Sequence, residues 1–367
     1  MAGNELKTYV VIVNWNGWED TIECLESVFR LRSKEFVVIV CDNDSKDGST
    51  QRIMEWARGE RTASSASAEM QSYTCPPVPH PIPFAFLPAS GGNGPHLREG
   101  CERLVLIQSG ENLGFAGGNN LGLRYVLKRN DHDYVWLLNN DVVVHPDALP
   151  RLIERMEEDP LIGICGSKLC FYSAPLLVQA YGGASYSPVT GRNRHLGEFK
   201  SVTARENRTE IEGRLGYVVG ASQLISRHFL SDVGFMNEEY FLYYEELDWA
   251  ARAKGKYVLG YAPGSVVYHK QGSSMGGKSL GRKTQPEENF ILSDFFSIRN
   301  QLLYTRKYYP QYLPTVAATV AWRLLKRIAA GKRKRAWAVV RGVYSAFSGR
   351  HPRLSPSLVR RGDVGLQ

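Results

Sequence analysis

No apolar run in these 367 residues approaches the roughly 20 that a helix needs to cross a bilayer. A secretory leader is not expected. The N-terminus has no basic region, no long apolar stretch and no small-residue cleavage site, and it passes almost at once into Tyr9-Val10-Val11-Ile12-Val13. The six cysteines (24, 41, 75, 101, 165 and 170) never fall at C-x-x-C spacing, which argues against a zinc ribbon and a disulfide framework. They read as free thiols of a reducing compartment, with the cytoplasm as the expected location. With 43% apolar and 22% charged residues, the composition excludes general disorder and suits a sizeable core. Acidic residues are nearly missing from one end. From Phe295 onward 15 Lys/Arg face a single acid, Asp363, a local charge of +14, whereas the other 294 residues hold 30 basic and 36 acidic side chains, or −6. A strongly basic segment on a mildly acidic body calls for an anionic partner or surface.

The first half alternates strand and helix signals. Apolar runs at 9–13, 36–41, 104–107 and 134–138 are separated by helix-like segments at 19–31 and 119–128. Near-continuous Val/Ile/Leu strands between helices predict an α/β fold with a mostly parallel, Rossmann-like central sheet covered on both faces. Ligands of such sheets bind at the carboxyl ends of the strands, and here each end carries Asn, Asp or Gly. Residues 62–100 hold seven of the 18 prolines and read as a loosely packed insertion. Further strands are expected at 162–167, 178–186, 215–219, 257–261 and 266–268, a helix at 244–254 and a Gly/Ser loop at 271–281. The division is into a domain over 1–288 and a basic, helical C-terminal extension over 289–367.

Five sequence features carry chemistry. Asn14-Trp15-Asn16-Gly17 and Asp42-Asn43 lie at adjacent strand ends, where they form turns or read a nucleobase edge. The run Glu111–Asn120, with Asn112, Gly117 and Gly118, follows a strand and opens a helix, so its N–H groups can face a phosphate or sugar; its spacing matches neither a dinucleotide fingerprint nor a Walker loop. Asn139-Asn140-Asp141 ends a strand with one carboxylate suited to a divalent cation on two phosphates, or to a helix cap. Glu245-Glu246-Leu247-Asp248 follows five aromatic or apolar residues; Asp248 is placed to pair with Arg252, while an apolar wall beside Glu245 and Glu246 raises a carboxylate toward the range of a general base. His269 stands between an apolar strand and the Gly/Ser loop, as a structural residue or a ligand.

In this order VVIVNWNG, VCDNDSKDGS, ENLGFAGGNN, LLNND, YYEELDW and VVYHKQGSS, spread over about residues 8–305, resemble the family 2 glycosyltransferases of the GT-A fold, and within them the rhamnosyltransferase-like branch. The resemblance implies inverting transfer of a sugar, with rhamnose one candidate, from a nucleoside diphosphate sugar to a glycan or lipid-linked acceptor in cell-envelope polysaccharide biosynthesis. It implies that Asp42, with the backbone around Asn14, holds the base. Asn16, Asn43, Asn112, Gly117, Gly118 and Asn140 complete the expected nucleotide-sugar set. Asp141 corresponds to the last position of the family's D-x-D element and His269 to a second ligand of the metal; one carboxylate with one imidazole favours Mn²⁺ over Mg²⁺. Glu246 takes the place of the general base, with Glu245 the alternative beside it. The chain departs from the family in keeping only the last acid of D-x-D, in having Glu where Asp is common at the base, and in the 62–100 insertion.

Two other readings compete. A nucleotidyltransferase needs a basic, Gly-rich loop after the first strand, which is missing, and a nucleic-acid-binding or scaffold role rests on tail charge alone, with no recognised module. Within 313–348, apolar residues at helical spacing alternate with Lys/Arg and with Trp322 and Trp337. That pattern predicts helices lying peripherally on the inner face of the cell membrane, or packed on the catalytic body with a solvated basic face.

Overall fold

The computed structural model describes residues 6–33, 35–63, 67–90, 102–270 and 287–348. Cys101 and the 271–281 loop fall outside these residues, as do parts of the 62–100 segment and everything after Ser348.

The first half builds β1 (Thr8–Asn14), α1 (Trp18–Val28), β2 (Phe36–Asp42), α2 (Ser49–Arg58), α3 (Gln71–Thr74), β3 (Phe84–Leu87), β4 (Leu104–Gln108), α4 (Gly114–Arg129), β5 (Tyr134–Asn139), β6 (Val142–Val144) and α5 (Ala148–Glu158). Five of these strands run parallel in the order β3-β4-β2-β1-β5. The period-2 geometry of a strand sends alternate side chains of β1 and β2 into two separate cores. Val10, Ile12, Val38 and Val40 pack under α1 and α2, while Tyr9, Val11, Ile39 and Cys41 pack under α4. Burial on both faces is why these strands read as unbroken apolar runs.

The chain then forms β7 (Ile162–Phe171), β8 (Ala174–Tyr181), β9 (Gly183–Ser187), β10 (Arg192–His195), α6 (Arg208–Gly213), β11 (Tyr217–Val218), β12 (Ser222–Ser226), α7 (Arg227–Val233), α8 (Glu245–Ala253) and β13 (Val258–His269). β12 enters the sheet antiparallel between β5 and β7, β13 lies parallel to β7, and β9–β11 form a separate three-stranded sheet. The two strands expected at 257–261 and 266–268 are one strand, interrupted by a register shift between Ala262 and Val266. Three long helices complete the described chain: α9 (Glu287–Tyr308), α10 (Leu313–Ala329) and α11 (Arg333–Ser348). They share an apolar cluster with Ala184, Tyr217, Tyr240 and Leu247.

Two expectations are corrected. The segment read as a loose insertion is packed where it is described. Val78 and Ile82 are buried in the main core, the Val78 N–H donates to the Glu26 carboxylate, and 84–87 supplies the edge strand β3. Proline prevents helix but leaves such an extended edge available. Second, the helix expected from 119 begins at Gly114, and its Gly118 and Gly122 press against β1 of the sheet.

Gly122 marks the closest of these approaches, since a Cβ there would stand 2.5 Å from Val11 Cγ1 and 3.2 Å from Cys41 Sγ. Gly122→Ala is therefore expected to destabilise by about 1–3 kcal/mol despite alanine's better helix propensity. A urea midpoint equal to or above wild type would show that the helix can move away freely.

Candidate active site

The chain leaves β1 in one direction along the sheet for β2 and returns on its other side at β5, so a switch point lies between the carboxyl ends of β1 and β5. A cavity of about 340 Å³ opens there. Val13 of β1 and Trp15 just after it line the cavity, with Asn139 at the end of β5, Asn140 and Asp141 between β5 and β6, Gln179 from β8, and His269 from the end of β13. Phe241, Tyr243, Glu245 and Glu246 close it on the side of α8.

Of the anticipated residues, Asn43, Asn112, Asn140, Asp141, Glu245, Glu246 and His269 all line this one cavity. Asp141 and His269 converge from different strands, with Nε2 of His269 3.3 Å from a carboxylate oxygen of Asp141. On the other side of the ring, Nδ1 lies 2.9 Å from Oε1 of buried Gln179. In the tautomer that donates from Nδ1 to the amide oxygen of Gln179, Nε2 faces Asp141. Two electron-pair donors so placed require a shared proton or a shared cation. The described lining adds Glu245 and Glu246 and contains no Lys or Arg.

The acid pair sits in the first turn of α8. Burial raises both carboxyl groups: Glu245 is held well above the usual carboxylate range by burial and by repulsion from Glu246. Burial pushes Glu246 up to about 7, although the Gly220 N–H, 3.1 Å away, donates to it. Oε2 of Glu245 and Oδ1 of Asn43 are buried without a hydrogen-bond partner among the described residues. Asp248 behaves differently and is structural. Burial alone would raise it, but hydrogen bonds from Lys307, Tyr308 and Arg252 hold it below the usual range.

The remaining anticipated residues do not line the cavity. Asp42 is fully buried, accepting from Asn14 Nδ2 at 2.7 Å and from the Ser45 N–H at 3.0 Å. Asn14 accepts from Thr21 in turn, and Asn16, at φ 51°, accepts from the Lys46 N–H. Here Asp42, Asn14 and Asn16 lock the loops after β1 and β2 together. Gly117 and Gly118 are buried inside α4; a Cβ on Gly118 would lie 2.8 Å from Val13 Cγ1. Close packing of helix on sheet accounts for Gly118, whereas a Cβ on Gly117 would meet Leu113 Cβ of the preceding turn at 2.7 Å.

Sequence reasoning missed Gln179, His195 and Asn300. Gln179 is the one amide in the buried run Val178–Tyr181, which was the available signal. His195 lines the cavity from β10, and burial, with His269 nearby, lowers its pKa. Asn300 of α9 is fully buried and donates to the carbonyls of Tyr240, Leu242 and Tyr243 at 2.7, 2.8 and 2.9 Å. It thereby holds a loop in which Phe241, Tyr243 and Tyr244 all have positive φ, a conformation disfavoured for aromatic residues. That loop delivers Glu245 and Glu246 to the cavity. Gly114, at φ +71°, completes the clamp, because a Cβ there would stand 2.4 Å from the Phe241 carbonyl oxygen.

Residues 96–227 match the model of the family described as glycosyl transferase family 2. Over that stretch, about a third of the chain, the sequence is similar to family 2 glycosyltransferases. Over 171 residues, 46% of this chain and 53% of the relative, it is 25% identical to the low-salt glycan biosynthesis hexosyltransferase Agl10 of Haloferax volcanii. Over 189 residues, 47% of this chain and 60% of the relative, it is 25% identical to an N-acetylglucosaminyl-diphospho-decaprenol L-rhamnosyltransferase of Mycobacterium tuberculosis. The chain thus spans little more than half the length of these relatives. Among solved structures, GalNAc-T7 crystallised with UDP, GalNAc and Mn²⁺ superposes with a TM-score of 0.55 at 12% identity, over 95% of this chain and 59% of that one. The fold is the GT-A fold that the resemblance implied.

Proposed function

We propose that this protein is an inverting glycosyltransferase that moves a hexose or deoxyhexose, with rhamnose one candidate, from a nucleoside diphosphate sugar to the hydroxyl of a glycan or lipid-linked acceptor. The observation that carries this reading is the meeting in one cavity, at the strand ends, of the Asp141–His269 pair and the raised acid pair of α8. The two relatives act, by their names, in glycan synthesis and on a diphospho-decaprenol acceptor, which supports the same class.

The roles follow from placement. Glu246 accepts the proton of the acceptor hydroxyl as its oxygen bonds to the anomeric carbon, and the bond from that carbon to the diphosphate breaks on the opposite face. A carboxylate near the ambient pH can both take that proton and release it afterwards. Asp141 and His269 would hold a divalent cation, Mn²⁺ or Mg²⁺, which when bound neutralises charge on the departing diphosphate. Gln179 fixes the imidazole for that task. A second cavity of about 530 Å³ shares His195, Val219, Tyr243 and Glu246 with the first, so Glu246 stands at a junction with room for donor and acceptor on its two sides.

A thermal-shift panel of sugar nucleotides with and without Mn²⁺ tests the reading. A true donor at 100 times its Kd is expected to add about 2.7 kcal/mol of stability. If no sugar nucleotide or nucleoside diphosphate stabilises the protein under either condition, the reading is wrong.

A further inference from the structure

Twelve large apolar side chains are exposed among the described residues, and seven of them lie on α10 and α11. On α10, Trp322, Leu325 and Ile328 recur every three residues; on α11, Trp337, Tyr344 and Phe347 follow at seven and three. Each set forms one stripe. The opposite stripes, Val316 and Val320 on α10 and Ala336, Val339 and Ala346 on α11, are buried against the body. The outward faces are therefore apolar on helices that already have a packed inner face.

Charge identifies what covers them. Residues 313–348 contain eight Lys/Arg and no acid. Arg327 and Arg335 are bonded to Asp294 and Lys334 lies 3.8 Å from Glu287, while Lys326, Lys332, Arg333 and Lys334 are all exposed around the stripes. A second copy of the chain would bring like charges together. A polyanion without an apolar phase would leave the two Trp in water. An anionic lipid bilayer satisfies both features, since Trp and aliphatic side chains enter the headgroup region while Lys and Arg meet the surface charge. No described helix is long and apolar enough to cross a membrane, so the contact lies along the surface.

We propose that the outward face of α10 and α11 docks on an anionic lipid bilayer. The same helix relates this face to the second cavity: Arg323, adjacent to Trp322 in sequence but half-buried, lines that cavity together with Glu246. Docking would set the cavity about one helix diameter from the lipid surface, on the order of 10 Å. The inference does not depend on the transfer chemistry, and its test contains no sugar nucleotide.

The test is co-sedimentation of the full chain with vesicles containing phosphatidylglycerol, compared with pure phosphatidylcholine, at low and high salt. Binding is expected to the anionic vesicles alone and to weaken with salt. Lys332→Gln, Arg333→Gln and Lys334→Gln together should lower partitioning by about 100-fold. Trp322→Ser with Trp337→Ser should lower it by roughly tenfold or more and abolish quenching by lipids brominated on their acyl chains. All five positions are exposed, so both variants should keep the wild-type thermal midpoint. Failure to bind anionic vesicles, binding untouched by both variants, or a lipid-free dimer that the Trp substitutions dissolve would each overturn the proposal. So would heparin binding without vesicle binding.

Discussion

Glu246→Gln is expected to lower glycosyl transfer by about 10²–10⁴-fold while sparing the fold and the binding of donor. Glutamine is nearly isosteric and still accepts from the Gly220 N–H, but it cannot take a proton from the acceptor hydroxyl. Two pH measurements separate this role from a merely structural one. Because burial lifts Glu246 from 4.5 to about 7, the folded protein keeps a proton over a range in which the unfolded chain has lost it. Stability therefore falls as pH rises from about 4.5 to 7, and the variant loses its share of that fall, gaining on wild type toward pH 8. Transfer runs the other way, rising through about pH 7 as the base ionises in wild type and losing that limb in the variant. Near-normal turnover by Glu246→Gln would move the role to Glu245, whose carboxyl lies on the same turn and is raised by the same burial.

The parallel half of the fold was legible because it repeats one rule. Apolar runs buried on both faces alternate with amphipathic helices, and the strand ends carry polar residues. The residues that meet at the cavity were legible where chemistry and position coincide, as at Asp141, Glu246 and His269. Sequence could not separate the polar residues that face the cavity from those that tie its walls together. Asn14 and Asp42 have the composition of a binding site, yet their hydrogen bonds are spent on each other and on Ser45 and Thr21. Gly117 and Gly118 look like a phosphate cradle because close packing and close ligand approach both require the absence of a Cβ. Asn300 could not be found at all. It lies 54 residues from Glu246 in a helix with no visible signature, and only the fold shows that its amide holds the left-handed loop on which the acid pair depends.

Asp141→Ala and His269→Ala are each expected to weaken the Mn²⁺-dependent part of nucleoside diphosphate binding by about 100-fold or more. Asp141 directly precedes β6, whose Val142 pairs with His269 of the neighbouring β13, and this register brings the donor atoms to 3.3 Å. A carboxylate beside an imidazole whose outer nitrogen is bonded to Gln179 shares either a proton or a cation, and the proposed role assigns it the cation. Gln179→Ala should act indirectly, costing about 10–100-fold in metal affinity by freeing the imidazole to turn. Gln179→Glu keeps an acceptor at that atom and should retain most of the affinity, which a loss through simple unfolding would not allow. Calorimetric titration of Mn²⁺ in the presence of nucleoside diphosphate measures these effects without requiring turnover. Equal Mn²⁺ affinity in wild type and in all three alanine variants would remove the pair from metal binding and leave the His269–Asp141 contact as a hydrogen bond that joins two strands.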